Sequence, residues 1–424
     1  MRDCQFLRKR PDPYRDMKIC LLSYRGNPYC GGQGIYIYYL SRALRDLGHE
    51  IEVMSGPPYA DVADGIKLHR LASLNLYETE DSMWTILSRL YDFINLYEVM
   101  SVCTGTFPEP LAFSLRAYRK IKKLLPETKF DIVHDNQCLG YGLLLLKRLG
   151  IPAVATVHHP IPIDRHMAIA QARRLWRKLL VRRWYAFCGM QGRVARRLER
   201  VITVSRSSAK SIEQAHGVSQ SRMRVIHNGI DTDLFRKTNG VPKEPNSLVL
   251  VNSGEQSVKG VPYLFHALRL LKGGTDIKLT VVGSPAPDGQ YLKLIREYGI
   301  EDMVAFTGRV TAEELVRRYS AAEICVVPSL YEGFGLPAAE AMACELPVVS
   351  TTGGALPEVV GRDGEAGLLI PPAHPEALAA AIRTLLADAT LRRKMGEAGR
   401  KRVEREFTWQ RAAQKTVEVY QEVM

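Results

Sequence analysis

The stretch PSLYEGFGLPAAEAMACELPVV, residues 328–349, says more about the architecture than any other. The apolar run 324–327 (ICVV) reads as a buried strand that stops at Pro328, and a tight loop holding Gly333 and Gly335 follows it. Pro337 then stands at a first helical position, where its missing N–H is not needed. Strand, glycine loop and helix in that order make a step of a parallel sheet. In such a step the glycines let the backbone come close to a ligand, and the helix start aims free N–H groups at it. Glu332 lies on the loop and Glu340 in the first helical turns. One carboxylate can meet a sugar beside phosphates while the other reaches a ribose. An isolated pair of glutamates would read as capping or surface acids; the glycine–proline frame gives this pair a function.

Working outward, the alternation repeats on both sides. Upstream lie a strand at 248–252, a helix at 262–272, a strand at 277–282, a helix at 289–298, a strand at 303–306 and a helix at 311–320. Residues 237–246 (KTNGVPKEPN) have linker composition. Before the linker the same pattern opens with a strand at 17–23 (MKICLLS) and a glycine-rich loop at 24–34 (YRGNPYCGGQG). A helix at 35–47 follows, with Ile35, Tyr39, Leu40, Ala43 and Leu47 on one side, and then a strand at 51–54. Further strands are expected at 131–134, 153–157 and 201–205, while 75–125 reads as mostly helical. Apolar strands alternating with helices indicate parallel sheets covered on both faces. The fold class is therefore α/β, with two doubly wound domains at 17–236 and 247–408 and a last helix at 409–424 expected to pack back on the first. Residues 1–16 carry charge and prolines without an apolar segment, which predicts a disordered extension and no secretory signal.

A chain of 424 residues is comfortable for two domains, and 46% hydrophobic with 24% charged residues is a globular composition. The eight cysteines are scattered, with no Cys-x-x-Cys pair, and read as reduced core thiols of a cytosolic protein rather than as disulfides or a zinc site. A formal net charge of +13 favours anionic partners without naming one.

Other segments carry weaker chemistry. In 352–360 (TGGALPEVV), Gly353 and Gly354 precede Pro357 and Glu358, again a loop opening a helix. Lys259-Gly260 follows the strand at 248–252, where a lysine can neutralise a diphosphate without a metal. Read alone, each is an ordinary turn or a solvated lysine. Gly31-Gly32-Gln33-Gly34 can cradle phosphate oxygens between the first strand and helix, but Ile37 stands where a dinucleotide fingerprint needs its third glycine. That counts against a dehydrogenase. His158 and His159 follow the strand at 153–157, on the edge where doubly wound proteins bind ligands.

Together these residues resemble the retaining nucleotide-sugar glycosyltransferases of glycosyltransferase family 4, the glycosyl transferases group 1. The resemblance rests on Glu332-Gly-Phe-Gly-Leu-Pro through Glu340, a Glu-x7-Glu signature. Gly31-Gly32, His158, Asn228-Gly229-Ile230-Asp231, Lys259-Gly260, and Gly354 with Glu358 support it. It runs from about Met17 to the C-terminus and is weakest over 75–125. The resemblance implies the GT-B fold, two Rossmann-like domains facing across a cleft, and transfer of a hexose-type sugar from a nucleotide diphosphate carrier. Gly31 and Gly32 would contact the donor diphosphate or the reacting sugar, Lys259 the diphosphate, and Glu340 the ribose hydroxyls. Glu332 would hold the donor sugar and phosphates together with the loop Gly333, Phe334, Gly335 and Leu336, whose last three backbone N–H groups point at them. His158 would hydrogen-bond a sugar hydroxyl beside the anomeric centre, so that His158, Glu332 and Lys259 form the catalytic set. No metal and no cofactor besides the donor is implied, in keeping with the lack of an Asp-x-Asp motif at a likely donor site. The acceptor, whether glycan, lipid-linked or small molecule, is not legible.

Two positions depart from the family pattern. Ser253 and Gly254, followed by Glu255, occupy the place of a usual diphosphate-binding arginine. Its loss costs about 1.5–3 kcal/mol of charge-assisted contact unless a cation such as Arg309 substitutes. Glu345 replaces a common glycine before the strand at "PVV". The first departure keeps a non-catalytic binding relative in view, and the fold alone also admits an epimerase or a phosphorylase. The Glu-x7-Glu match and the retained Lys259 and His158 favour transfer.

Between Arg165 and Arg200 the chain is dense in arginine, with Trp176, Leu180, Trp184 and Phe187 at helical spacing. Two readings stay open: an interfacial helix on anionic lipid, placing a cytoplasmic enzyme on the inner membrane face, or an aromatic stripe packed inward beneath solvated arginines. Nucleic acid is not an expected partner, because no recognised nucleic-acid module accompanies the basic stretch.

Overall fold

The computed structural model describes residues 16–26, 32–76, 83–172, 174–252, 254–274, 276–287 and 289–424. Apart from Asp16, the expected N-terminal extension lies outside the described residues, as do Gly31, Arg173, Ser253 and the thiols Cys4 and Cys30. The first sheet contains β1 (Lys18–Ser23), β2 (Glu50–Ser55), β3 (Lys67–Arg70), β4 (Ile132–Asn136), β5 (Ala153–Val157), β6 (Val201–Thr203) and β7 (Met223–Val225). Their order is β3-β2-β1-β4-β5-β6-β7. β1 pairs in parallel with both β2 and β4, so the direction of winding reverses between β1 and β4. The second sheet contains β8 (Ser247–Val251), β9 (Lys278–Val282), β10 (Val304–Phe306), β11 (Ile324–Val327), β12 (Val348–Thr351) and β13 (Gly367–Ile370). It runs β10-β9-β8-β11-β12-β13, all parallel, and reverses between β8 and β11. Both are doubly wound orders, in which ligands bind beyond the carboxyl ends of the strands at the reversal.

Side-chain alternation explains why β11 is apolar throughout. Ile324 and Val326 enter one core with Leu264, Phe265 and Leu268 of the helix Val261–Leu271, while Cys325 and Val327 enter another with Ala338, Ala341 and Met342. A strand buried on both faces has no polar side to show. The alanines of the helix Leu336–Ala343 are fully buried, so this helix lies close on the sheet and its start is fixed relative to β11. That helix ends in a Schellman pattern: Leu346 N donates to Ala341 O (3.0 Å) and Glu345 N to Met342 O (3.1 Å). Glu345 holds the left-handed position with φ 56°, so the departure noted above alters the turn without removing it.

The chain forms two compact units, Met1–Ile202 with Glu213–Arg224 and Ala413–Met424, and Thr203–Ile212 with Val225–Ala412. The expected linker at 237–246 belongs to the second unit. Thr238 N donates to Ser320 Oγ (3.0 Å) and Glu244 N to Ala321 O (2.9 Å), which ties it down. The last helix, Trp409–Val423, starts in the second unit and ends in the first, where Glu422 pairs with Arg224 (2.6 Å) and Arg200 (2.5 Å). The first helix spans Gly32–Asp46, and its buried side is Tyr36, Ile37, Leu40, Ala43 and Leu44. The face expected from sequence included Ile35, Tyr39 and Leu47, and Leu47 is in fact exposed. The register turns because the Tyr36 hydroxyl finds a buried partner in Thr156 Oγ1 at 2.9 Å. Residues 83–124 are helical at Met83–Ser88, Phe93–Cys103 and Glu109–Leu124. Cys20, Cys138, Cys188, Cys325 and Cys344 are buried free thiols and Cys103 is exposed. Among the described residues no helix is long and apolar enough to cross a membrane.

Candidate functional site

In the second unit the loops after β8 and β11 meet at the reversal of the sheet. Gly260 has φ 64°, and a Cβ there would stand 2.0 Å from Pro328 O, so only glycine allows the approach. Leu330 N donates to Val258 O at 2.8 Å and locks the two loops together. This contact brings Lys259 Nζ to 2.9 Å from Glu332 Oε1, which also accepts from Ser329 Oγ at 2.8 Å. Glu332 keeps little exposure and Lys259 more, so the pair stands at the edge of solvent.

The segment 352–360 has a different role from the one its glycines suggest alone. Gly354 (φ 66°) would place a Cβ 2.2 Å from Glu332 O, and Ala355 N donates to that oxygen at 2.9 Å. A Cβ on Gly353 would meet Leu330 O at 2.6 Å. These glycines support the Glu332 loop from behind. Glu358 accepts from Arg206 N (2.9 Å) and Ser207 N (2.8 Å), capping the helix Arg206–His216, with His227 Nε2 3.5 Å away. Its burial would raise its pKa, but these hydrogen bonds prevail and hold the carboxyl below its ordinary range. Both of its oxygens serve that cap.

Gly335 has φ 99° and caps the helix Leu336–Ala343. Among the described residues no backbone acceptor meets the N–H groups of Phe334, Gly335 or Leu336, which leaves three donors at a helix start. The Phe334 ring is buried, edge-on to Phe407 at 5.6 Å. The Gly333 carbonyl accepts from Ser205 Oγ (2.7 Å) and Ser208 Oγ (3.1 Å), two hydroxyls far away in sequence. Glu340 accepts from Tyr319 Oη at 3.2 Å, and burial pushes its carboxyl up to about 7 despite that hydrogen bond. A carboxyl so placed gains from any further donor. Glu255 caps the helix Gln290–Tyr298 through Gln290 N (2.8 Å) and Tyr291 N (3.2 Å), so it is committed to structure. Arg309 is exposed in the turn after β10, next to the Gly283–Gly308 bridge.

In the first unit, Gly32 is exposed as the first residue of its helix. His158 follows β5. Its Nε2 lies 2.6 Å from Asn136 Oδ1, and Asn136 Nδ2 donates to Gln33 O at 3.0 Å. That donation orients the amide, so Asn136 Oδ1 accepts and His158 Nε2 carries the proton. Burial lowers the ring to about 3, hence it is neutral and Nδ1 holds a lone pair. No hydrogen-bond partner meets Nδ1 among the described residues. Gln137 clamps the loop, with Oε1 accepting from His158 N (2.7 Å) and Nε2 donating to His159 O (2.7 Å). Gln137 adopts φ 59° to do so. His159 instead pairs with Asp164 at 2.9 Å. Ser329, Asn136, Gln137, Ser205 and Ser208 were not legible as site residues. The one local signal was the polar run Asp135-Asn136-Gln137 after a buried strand.

Comparison with known proteins gives the family and the fold. Residues 30–234 match the family described as Glycosyltransferase Family 4, and residues 231–402 match Glycosyl transferases group 1. The chain is 44% identical to the MMP alpha-(1->4)-mannosyltransferase of Mycolicibacterium hassiacum, over 96% of this chain and 98% of that one. It is 27% identical to a D-inositol 3-phosphate glycosyltransferase of Streptomyces bingchenggensis, over 97% and 90%. Among solved structures, sucrose-phosphate synthase of Thermosynechococcus elongatus superposes with TM-score 0.72 at 26% identity, covering 96% and 98% of the two chains. HepE of Anabaena in complex with UDP superposes with TM-score 0.67 at 19% identity, covering 95% and 99%, a likeness of fold.

Proposed function

This chain belongs to glycosyltransferase family 4 and is a glycosyltransferase of GT-B fold, and from that premise we propose that it transfers a mannosyl unit from a nucleotide diphosphate donor with retention, forming an α-(1→4) link to a saccharide acceptor. The observation that carries the reading is the Lys259–Glu332 pair, 2.9 Å apart at the reversal of the second sheet beside three free N–H groups. Mannose and the linkage come from the 44% identical mannosyltransferase. In the second unit Lys259 and the N–H groups of Phe334, Gly335 and Leu336 neutralise the diphosphate, a task that needs no metal. Lys259 then exchanges a carboxylate for phosphate oxygens, and Glu332 is released to accept from sugar hydroxyls. Glu340 accepts from the ribose. In the first unit Gly32 opens a helix whose start suits a phosphate or the reacting sugar, and His158 Nδ1 accepts from a sugar hydroxyl. The bond from the anomeric carbon to phosphate oxygen breaks as the acceptor oxygen bonds on the same face, and the leaving phosphate takes the acceptor proton. An α product from an α-linked donor is retention.

A thermal-shift panel of UDP, GDP and ADP with their mannose derivatives tests this reading, with Lys259→Ala beside the wild type. One base series should raise the melting temperature, and the variant should lose that gain. Equal stabilisation of both proteins would remove Lys259 from the diphosphate site. Glu332→Ala should fold and bind nucleotide yet release no product.

The reading extends to a location. A nucleotide diphosphate sugar is supplied in the cytoplasm, and the basic stretch suits the inner face of an anionic membrane. The helix Leu175–Trp184 buries no residue: Leu175 is 85% and Trp176 53% exposed, with Arg174, Arg177, Lys178, Arg182 and Arg183 around them. At its end Trp184, 38% exposed, meets Phe107 at 5.3 Å, as does Phe187 of the following helix. A helix with no buried residue that is both apolar and cationic suits an anionic lipid surface, whereas a second copy of itself would bring like charges together.

A further inference from the structure

His158 is the visible end of a longer buried construction. Its ring stands edge-to-face with Tyr36, centroids 4.5 Å apart at 77°. Tyr36 Oη is 2.9 Å from Thr156 Oγ1, Thr156 Oγ1 is 2.7 Å from His134 Nε2, and His134 Nδ1 is 2.6 Å from Tyr420 Oη. Tyr36, Thr156, His134 and Tyr420 are all buried. They come from the first helix, β5, β4 and the last helix of the chain, all within the first unit.

Burial lowers His134 to about 3, so its ring is neutral and carries one proton, donating at one nitrogen and accepting at the other. Run in either direction, each of the three contacts then has one donor and one acceptor. A chain of this kind is rigid, because each member fixes the rotor of the next. It terminates on the Tyr36 ring that His158 meets edge-to-face.

We propose that Tyr36 is a positioning residue: the relay Tyr420–His134–Thr156 fixes its ring, and that ring with Asn136 holds the His158 imidazole in the orientation that presents Nδ1 to the sugar. The end of the last helix thereby reaches the reacting centre through Tyr420 without touching substrate. This inference rests on the role given to His158 above, and the experiment separates the two.

Turnover of the mannose donor found in the thermal-shift panel is measured as nucleotide diphosphate release, for the wild type, Tyr36→Phe, Tyr420→Phe, His158→Ala and the two double variants with His158→Ala. Melting curves confirm that each variant is folded at the assay temperature. Both Phe variants keep their rings and lose only a hydroxyl. Each should lower kcat about three- to ten-fold through a misplaced imidazole, with the KM for donor nearly unchanged, since the nucleotide is held elsewhere. In the His158→Ala background neither should lower kcat further, because the group being positioned is gone. Wild-type kcat in the Phe variants with an active His158, alongside a lowered melting temperature, would make the relay purely structural and overturn the proposal. An unchanged kcat in His158→Ala itself would overturn the role of His158 instead. Additive losses in the double variants would show that Tyr36 and Tyr420 act by another route, and would equally sink it.

Discussion

Glu340 combines burial with the ribose-facing task proposed for it, and the conflict can be measured. Its ordinary value is 4.5, and in the folded protein burial raises it to about 7. Below 4.5 the carboxyl is protonated whether the chain is folded or not, and its contribution to stability is fully present. Between the two values the unfolded chain ionises and the folded one does not, so stability falls as pH rises through about 7. Glu340→Gln should therefore gain on the order of 1–3 kcal/mol over the wild type at pH 8 without nucleotide, and nothing at pH 4. Ribose hydroxyls donate, so they favour the ionised form. Nucleotide affinity of the wild type should rise from pH 6 to pH 8, and calorimetry should show proton release near pH 7. In the Gln variant both effects vanish; a pH-independent wild-type affinity would mean that Glu340 does not receive the ribose. At this scale Glu332, Glu340 and Lys259 were legible, because glycine and proline spacing marks a loop that opens a helix. Asn136, Gln137 and Tyr36 were not, because their meaning lies in which nitrogen of His158 they meet, a fact of tertiary structure.

Among the elements, the strands that sequence made plain are those buried on both faces, such as β11, whose every residue is apolar. β3 (KLHR) and β7 (MRV) escaped notice for the opposite reason. They are short edge strands with polar residues, and pairing with a neighbour, rather than pattern, makes them strands. The helix Leu175–Trp184 was visible as helical, but its sequence could not say whether its tryptophans face inward. In the structure both are exposed, Trp176 more than Trp184, whose ring also meets Phe107. Each Lys or Arg near an anionic surface contributes about 1 kcal/mol, so reversing two of them should weaken adsorption by well over tenfold. Arg177→Glu with Lys178→Glu should abolish co-sedimentation with phosphatidylglycerol vesicles while leaving donor turnover in solution intact. The wild type should bind those vesicles at low salt, detach at high salt and ignore neutral phosphatidylcholine. Wild-type protein left in the supernatant at low salt would remove the membrane from this account.

Over the whole molecule, neither unit is one continuous piece of chain. Thr203–Ile212 belongs to the second unit although Glu213–Arg224 returns to the first, and the last helix crosses back after Ala412. Reading strands in order suggested one boundary near 237–246 and a return of the last helix at 409–424, but not the excursion at 203–212, because linker composition is visible in sequence and long-range capping is not. The excursion has a chemical purpose: Ser205 and Ser208 donate to the Gly333 carbonyl, and Arg206 and Ser207 donate backbone N–H groups to Glu358. The loop of Glu332 and Gly333 is thus held by a segment some 125 residues earlier in the chain. With the Gly333 carbonyl so held, the following N–H groups meet no acceptor among the described residues, as the phosphate contact proposed for them requires. Removing both hydroxyls would strand that carbonyl and loosen the loop. With each hydrogen bond worth about 0.5–1.5 kcal/mol, Ser205→Ala with Ser208→Ala should raise the nucleotide Kd by roughly five- to a hundred-fold. Its melting temperature without nucleotide should move by only a few degrees, since the sheet and both cores remain. Ser211→Ala, whose hydroxyl receives a long 3.3 Å contact from Tyr331, supplies the control and should bind as the wild type does. If the double variant kept wild-type affinity, the free N–H groups would be set by Gly335 and the helix alone, and the chain's return through 203–212 would serve only the packing of the second unit.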